Sequence, residues 1–389
     1  MKRKYYIHAS ALVMLFVSAC STIKVHHVEK NEKLPKLNGV FYSLPKTAIS
    51  VEVTVYKTYK IKGPYSIYAN KYLSLSNIIN ENSVSYSLDE IKMNSYSIPD
   101  PDQYYFVESA KGCKKKNPLL LELTEAGFIN SINRSSELKA TSNTLSSSFE
   151  ANEEFTQPVN QFSVNMNIAE TFDTIIEKVI LDTITIEKKV LKKKFVEKTL
   201  EQKAKEAADF IMLVKESNFN LLNGYSEVNY SKESLEYMNE ELKKTETEYL
   251  NLFTGITVKH QLKYYFTYIP DFYGNSIELP LFSFSEKEGV TDTSSSKGES
   301  VYLSVNRSGN TNLISDFIDK KTNIKQKTHS FYYRIPEYGK FSAIYKGKEK
   351  AEANILINQF GAISELPANK NLKILFYPNS GAIKSVEVK

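Results

Sequence analysis

Hydrophobic residues recur at every second position near both ends of this chain, and at spacings of three and four through its middle. A period of two marks half-buried strands, and a period between three and four marks amphipathic helices. The chain is therefore expected to build β-rich structure on either side of a helical centre. Ile49, Val51, Val53 and Val55 alternate with Ser50, Glu52, Thr54 and Tyr56, placing one apolar face on a core. Much later, Ile256, Val258, His260, Leu262, Tyr264, Phe266 and Tyr268 alternate along one long strand. Further strands are expected at 84–88, 104–107, 179–186, 281–284, 300–305, 329–335 and 353–358.

Turn chemistry punctuates these runs. Gly63-Pro64 ends the first strand, and 65–75 reads as a short helix. Pro99-Asp100-Pro101-Asp102 reads as a turn; its two aspartates suit acid–base work or calcium, but no further ligand pattern follows. A hairpin is expected at 119–132 around Glu125-Ala126-Gly127, and a similar one at 372–386 around Asn379-Ser380-Gly381. Gly361-Ala362-Ile363-Ser364 resembles a third return strand.

The helical centre carries the strongest local signals. Thr199 and Gln202 stand at capping-box spacing, and Leu200, Ala204, Ala207, Ile211 and Val214 form a stripe behind them. Ser231 offers a second N-cap before Leu235, Met238, Leu242, Thr245, Tyr249 and Leu252, and Gly255 stops that helix. Helices at about 199–216 and 232–253 should pair as an antiparallel hairpin. Such a pair either covers a sheet of its own domain or serves as an arm that recruits an envelope protein.

The first twenty residues constrain location. Lys2, Arg3 and Lys4 precede an apolar run too short to span a membrane, and Val17-Ser18-Ala19-Cys20 closes it. This resembles a lipoprotein signal, with cleavage before Cys20 and acyl chains such as palmitate on its sulfur. The expected mature chain begins at Cys20, is anchored in the envelope, and faces the periplasm at the outer membrane. Loss of the three basic residues lowers a formal charge of +5 to +2. A near-neutral exported chain makes nucleic acid an unsuitable partner.

Cys113 is the second of two cysteines, so with Cys20 lipidated no intrachain disulfide forms. Lys111, Lys114, Lys115 and Lys116 would favour its thiolate, yet no histidine or second cysteine lies nearby in sequence, and a plain loop cysteine is the simpler reading. His26-His27 reads as part of a solvated tether, and His260 as a core residue rather than a ligand. Lysines 188, 189, 192, 193 and 194 read as a solvated strand edge or, alternatively, as a contact for anionic lipid. Tyrosine and phenylalanine are abundant while tryptophan is absent, which weighs against a sugar-stacking platform.

The expected fold class is α+β: two β-rich, sandwich-like, mostly antiparallel regions flanking a central helical hairpin. The corresponding segments are a signal peptide (1–19), a lipidated tether (20–36), an N-terminal β-rich domain (37–134) and a Ser/Asn-rich flexible loop (135–160). A strand with the hairpin (161–255) and a C-terminal β-rich domain (256–389) complete the chain.

The run from Lys198 through Thr199, Gln202, Ala204, Ala207 and Ala208 to Ile211 resembles a signature of domain-of-unknown-function family 4831. Glu248-Tyr249-Leu250-Asn251-Leu252-Phe253-Thr254-Gly255 and Leu44-Pro45-Lys46-Thr47 resemble it too. The resemblance implies an uncharacterised exported protein or lipoprotein of Bacteroidota, and brings no activity or catalytic residues with it. The chain has no GxSxG, HExxH or phosphate-binding glycine loop. The reading is thus a non-enzymatic scaffold, assembly or binding protein, with no catalytic, cofactor or metal residues assigned. The alternative is a hydrolase of envelope polysaccharide or peptidoglycan, using carboxylates that only the fold brings together.

Overall fold

The structure is a computed structural model that describes residues 23–28, 38–108, 119–134, 168–181, 184–223, 230–271, 274–322, 330–368 and 372–388. Cys20, Cys113, His329 and the loop expected at 135–160 lie outside the described residues. In chain order the elements begin with β1 (Lys24–His27), β2 (Gly39–Ile61), α1 (Ala69–Leu73), β3 (Ser83–Glu108), β4 (Leu121–Leu123) and β5 (Ile129–Ile132). Next come β6 (Ile168–Leu181), β7 (Ile184–Glu197), α2 (Leu200–Leu222), α3 (Lys232–Thr254) and β8 (Ile256–Tyr268). The remainder is β9 (Ser276–Ser285), β10 (Gly289–Thr291), β11 (Glu299–Arg307), α4 (Asn312–Thr322), β12 (Ser330–Tyr345), β13 (Lys348–Pro367), β14 (Leu372–Tyr377) and β15 (Ala382–Val388).

The strands form sheets ordered β1-β3-β2-β8, β10-β9-β11-β12-β13, β15-β14-β5-β4 and β6-β7. Pairing is antiparallel in the ladders of β1 with β3, β11 with β12, β12 with β13, β14 with β15, and β6 with β7. The fold is therefore β-rich, with four α-helices among the described residues. Contacts gather into two compact units: one of residues 1–55, 88–143 and 261–389, the other of 56–87 and 144–260.

In the first unit, β14 pairs with β5 through Ile374 and Ile132, so the N- and C-terminal β-rich stretches share a sheet. Val25, Tyr42, Leu44, Tyr105, Val107, Ile132, Phe331, Ile374 and Phe376 close one apolar core. Tyr105 stacks between Tyr42 and Tyr332, at ring separations of 5.1 and 4.7 Å. Ile49, Val51, Val53 and Val55 are all buried, as their alternation requires, and Thr54 is buried on the opposite face. The β12–β13 ladder shifts register between Ile335 and Glu337. There the backbones approach so closely that a Cβ on Gly361 would sit 1.7 Å from the Ile335 carbonyl oxygen. Only glycine fits.

In the second unit, the Thr199 hydroxyl accepts from the Gln202 amide at 3.2 Å, and the Gln202 side chain accepts from the Thr199 amide at 2.8 Å. This reciprocal cap starts α2 where the sequence places it. Ser231 caps α3, and Gly255 ends it at φ 82°, a conformation a β-carbon disfavours. Ala204, Ala207, Ala208 and Ile211 pack with Leu252 and Phe253, and with Tyr65 and Ala69 from the short helical stretch before α1's end. Phe210 meets Tyr249 at 4.4 Å and Lys215 meets Glu246 at 3.5 Å, so α2 and α3 run antiparallel.

Several expectations are corrected. His26 and His27 belong to β1, not to a solvated tether, and β1 pairs with residues 105–108 of β3. Pro99-Asp100-Pro101-Asp102 runs straight through β3 instead of turning. β1 reaches no further than Tyr105, so the prolines occupy a stretch with no β1 partner, where a missing N–H breaks no ladder bond on that side. The strand expected at 179–186 is the end of β6 and the start of β7, and the lysine run lies inside β7. Leu200 is exposed, since it stands at the first turn of α2, and α2 continues to Leu222. α4 had no counterpart in the sequence reading, because Leu313 and Phe317 are exposed and mark no buried face.

Candidate functional site

Buried charge is where chemistry would first be sought. Asp100 of β3 and Arg334 of β12 are both buried and form an ion pair through Arg334 Nη2 and Asp100 Oδ2. Arg334 Nη1 also donates to the Asn358 carbonyl at 3.3 Å, and Asp100 Oδ1 accepts from the Asp102 amide at 3.2 Å. Burial pushes the Arg334 pKa down, while the charge of Asp100 acts to hold the proton on. Beside this pair, Gln359 bonds the Thr47 backbone twice, each at 2.9 Å, and the Thr47 hydroxyl accepts from the Asn358 amide at 3.0 Å. These bonds fasten β2 to β13.

Glu337 is the second cluster. Its fully buried carboxylate accepts from Arg307 Nη2 at 3.2 Å, from the Ser308 hydroxyl at 3.3 Å, and from Thr311 and the Gly309 amide. Burial alone would raise its pKa, but the bonds from Thr311, Gly309 and Arg307 outweigh that and hold it below the usual carboxylate range. Glu337 thereby pins the 307–311 segment to β12. Asp100 and Glu337 thus each serve an ion pair of their own. That arrangement suits a structural tie, since an acid–base pair needs a carboxyl facing substrate.

Ser43 and Lys46 stand three residues apart, a spacing that the sequence reading passed over. On a strand, positions three apart face opposite sides. Buried Ser43 donates to the Leu44 and Asp100 carbonyls at 3.0 and 3.3 Å, whereas Lys46 reaches Asp271 at 3.0 Å. The fold separates them as a nucleophile and base. A slot beside Ser43, lined by Leu44, Pro45, Phe128, Tyr332 and Phe376, has room for about one water molecule.

The histidines among the described residues take structural places. His26 Nε2 lies 3.2 Å from Glu108 Oε2, and His27 Nε2 lies 2.9 Å from the Asp102 carbonyl. His260 meets the Tyr59 ring edge-on at 5.6 Å. Among the described residues no group of three or more His, Cys, Asp and Glu side chains is placed to hold a metal ion.

The second unit, like the first, exposes large apolar side chains. The β6–β7 register places Ile168, Phe172, Ile176, Leu191 and Phe195 on one face of a two-stranded ribbon. Phe172 and Phe195 are each 62% exposed and Leu191 66%. Lys193 bridges to Glu170 at 2.7 Å and lies over the Phe195 ring at 5.5 Å. On α2, past the buried alanines, Met212, Leu213, Phe219 and Leu222 are exposed, as is Tyr237 on α3. No helix among the described residues is long and apolar enough to cross a membrane.

A family model described as Domain of unknown function (DUF4831) matches residues 38–384. The chain belongs to the DUF4831 family. The DUF4831 match takes in both charge clusters, the ribbon and the helical pair, and begins after β1. Of the motifs that carry the family resemblance, one spans the cap and first turns of α2, another the end of α3, and the third lies on β2 beside Ser43. No curated protein and no solved structure matches the chain significantly.

Proposed function

We propose that this chain is a non-enzymatic envelope lipoprotein, acting as a scaffold, assembly or binding protein. In this reading it hangs from acyl chains on Cys20, faces the periplasm from the outer membrane, and recruits an envelope protein through its helical pair. In chain order, two β-rich, sandwich-like regions flank the helical hairpin in this reading. The observation that carries the reading is the exposed apolar end of α2, where Phe219 and Leu222 are 63% and 69% exposed. The buried half of the same helix is small and well packed, so the exposed half contributes nothing to that core. Helices that lay an apolar face into a partner's groove use such residues as anchors.

The test is crosslinking in cells. A photoreactive side chain replaces Phe219 in one variant and exposed Tyr377 of β14 in another, followed by mass spectrometry. The reading expects one or a few envelope proteins captured from position 219 and not from 377. Equal capture from both positions would overturn it.

A further inference from the structure

We infer that β1 holds the first unit end-on against the membrane, so that the sheet end carrying the starts of β1 and β2 lies on the bilayer surface. The inference rests on the acylation of Cys20 proposed above and adds to it which end the anchor turns toward the lipid.

β1 is built into the core of the unit instead of trailing from it. Ile23 and Val25 are both buried, in the core that holds Tyr42, Tyr105 and Phe376. The Val28 amide donates to the Tyr104 carbonyl at 2.8 Å, and the His27 ring lies 5.2 Å from that of Tyr105. A terminal strand paired and buried in this way is tied down. Peeling it away would put both apolar side chains in water and break its ladder to β3.

The reach of the chain then selects what covers this end. Three peptide links separate Cys20 from Ile23, at most about 11 Å of chain. A free tether over 20–36 would reach about 60 Å. The register places Lys24 opposite Glu108 and Val25 opposite Val107, on one side of β3. On its other side Gly39 lies against Phe106 and Val107, and the Phe41 ring stands 4.9 Å from that of Phe106. The starts of β1 and β2 are therefore two strand spacings apart, about 10 Å. Val40 and Phe41, both exposed, stand at this same end. Lipid chains on Cys20 bring that end to the headgroups, whatever the charge of the lipid. The turn at 377–381 is remote from it. Ser97 donates to the Asn379 carbonyl, and Ser97 lies about 33 Å along β3 from Val107.

The chain lacks tryptophan, so a single indole can report alone. The chain from residue 20 onward, with Cys113→Ser, is coupled through the Cys20 thiol to a maleimide phospholipid. The phosphatidylcholine vesicles used also carry a dansyl-labelled headgroup lipid. Phe41→Trp serves as the probe and Tyr377→Trp as the control. Energy transfer to dansyl is expected to be at least threefold stronger from position 41. Ten Gly/Ser residues inserted after Thr22 should lower the transfer from 41 by half or more, whereas the same insertion after Lys33 should leave it unchanged. Equal transfer from 41 and 377, or an equal effect of the two insertions, would overturn the inference. So would full transfer from protein left uncoupled. A blue shift at 41 that grows with protein concentration without lipid would overturn it too, by assigning this end to a second copy. Because the lipid is attached chemically, these outcomes judge the seating of β1 alone. Cys20 found without acyl chains in cells would instead sink the acylation reading, and the vesicle result would stand.

Discussion

Asp100 and Arg334 lie 234 residues apart in the chain and form a buried ion pair that ties β3 to β12. Removing one partner leaves the other charge buried without compensation. Asp100→Ala is expected to cost roughly 3–5 kcal/mol, and Arg334→Met a similar amount. The double variant Asp100→Ala with Arg334→Met should lose less than the two single losses combined, because it leaves no orphaned charge. Urea denaturation of all four proteins measures this. Additive losses would mean that the two residues act independently.

Glu337 predicts a specific pH dependence. Its folded pKa is lowered, so the folded state holds its proton less tightly than the unfolded chain, whose carboxyl titrates near about 4.3. The contribution is therefore complete above that value and is lost as pH falls through the lower folded pKa. Melting temperature should drop in that acidic window, and Glu337→Gln should start lower at neutral pH and fall less steeply. Parallel curves for the two proteins would contradict the assignment.

These two clusters also mark the limit of what the sequence made legible. The alternation from Ile49 to Val55 could be read because one buried face needs no knowledge of its partner strand. The Thr199–Gln202 cap and the stop at Gly255 were legible because each bond closes within a few residues. Asp100 was not, since its partner comes from a distant strand, and two flanking prolines imitate a turn. Nothing in Glu337 itself announces four donors gathered from residues 307–311. β1 is four residues long and acquires its meaning only from pairing with β3.

The proposed lipidation of Cys20 gives a fractionation prediction. A single acyl chain holds a protein to a membrane only marginally, so stable attachment needs at least two. Cys20→Ser should appear in the soluble periplasmic fraction or keep its signal peptide, with a visible change in size. Membrane recovery of that variant at the mature size would show that another feature provides the anchor.

The helical pair separates core from surface along a single helix. Ile211 is completely buried in the α2–α3 seam, whereas Phe219, two turns later, is largely exposed. Ile211→Ala should cost roughly 2–5 kcal/mol, as for other large-to-small core changes. Leu242 is only half-buried, so Leu242→Ala should cost less than Ile211→Ala. Phe219→Ser should fall within about 0.5 kcal/mol of the parent, as surface substitutions usually do. Thermal melts of the purified variants, run beside crosslinking in cells, give the decisive comparison. If Phe219→Ser keeps the melting temperature and loses the crosslinked partner, the outer end of α2 is the recruitment surface. If it lowers the melting temperature as much as Ile211→Ala does, that end is part of the protein's own core, and the recruiting surface lies elsewhere.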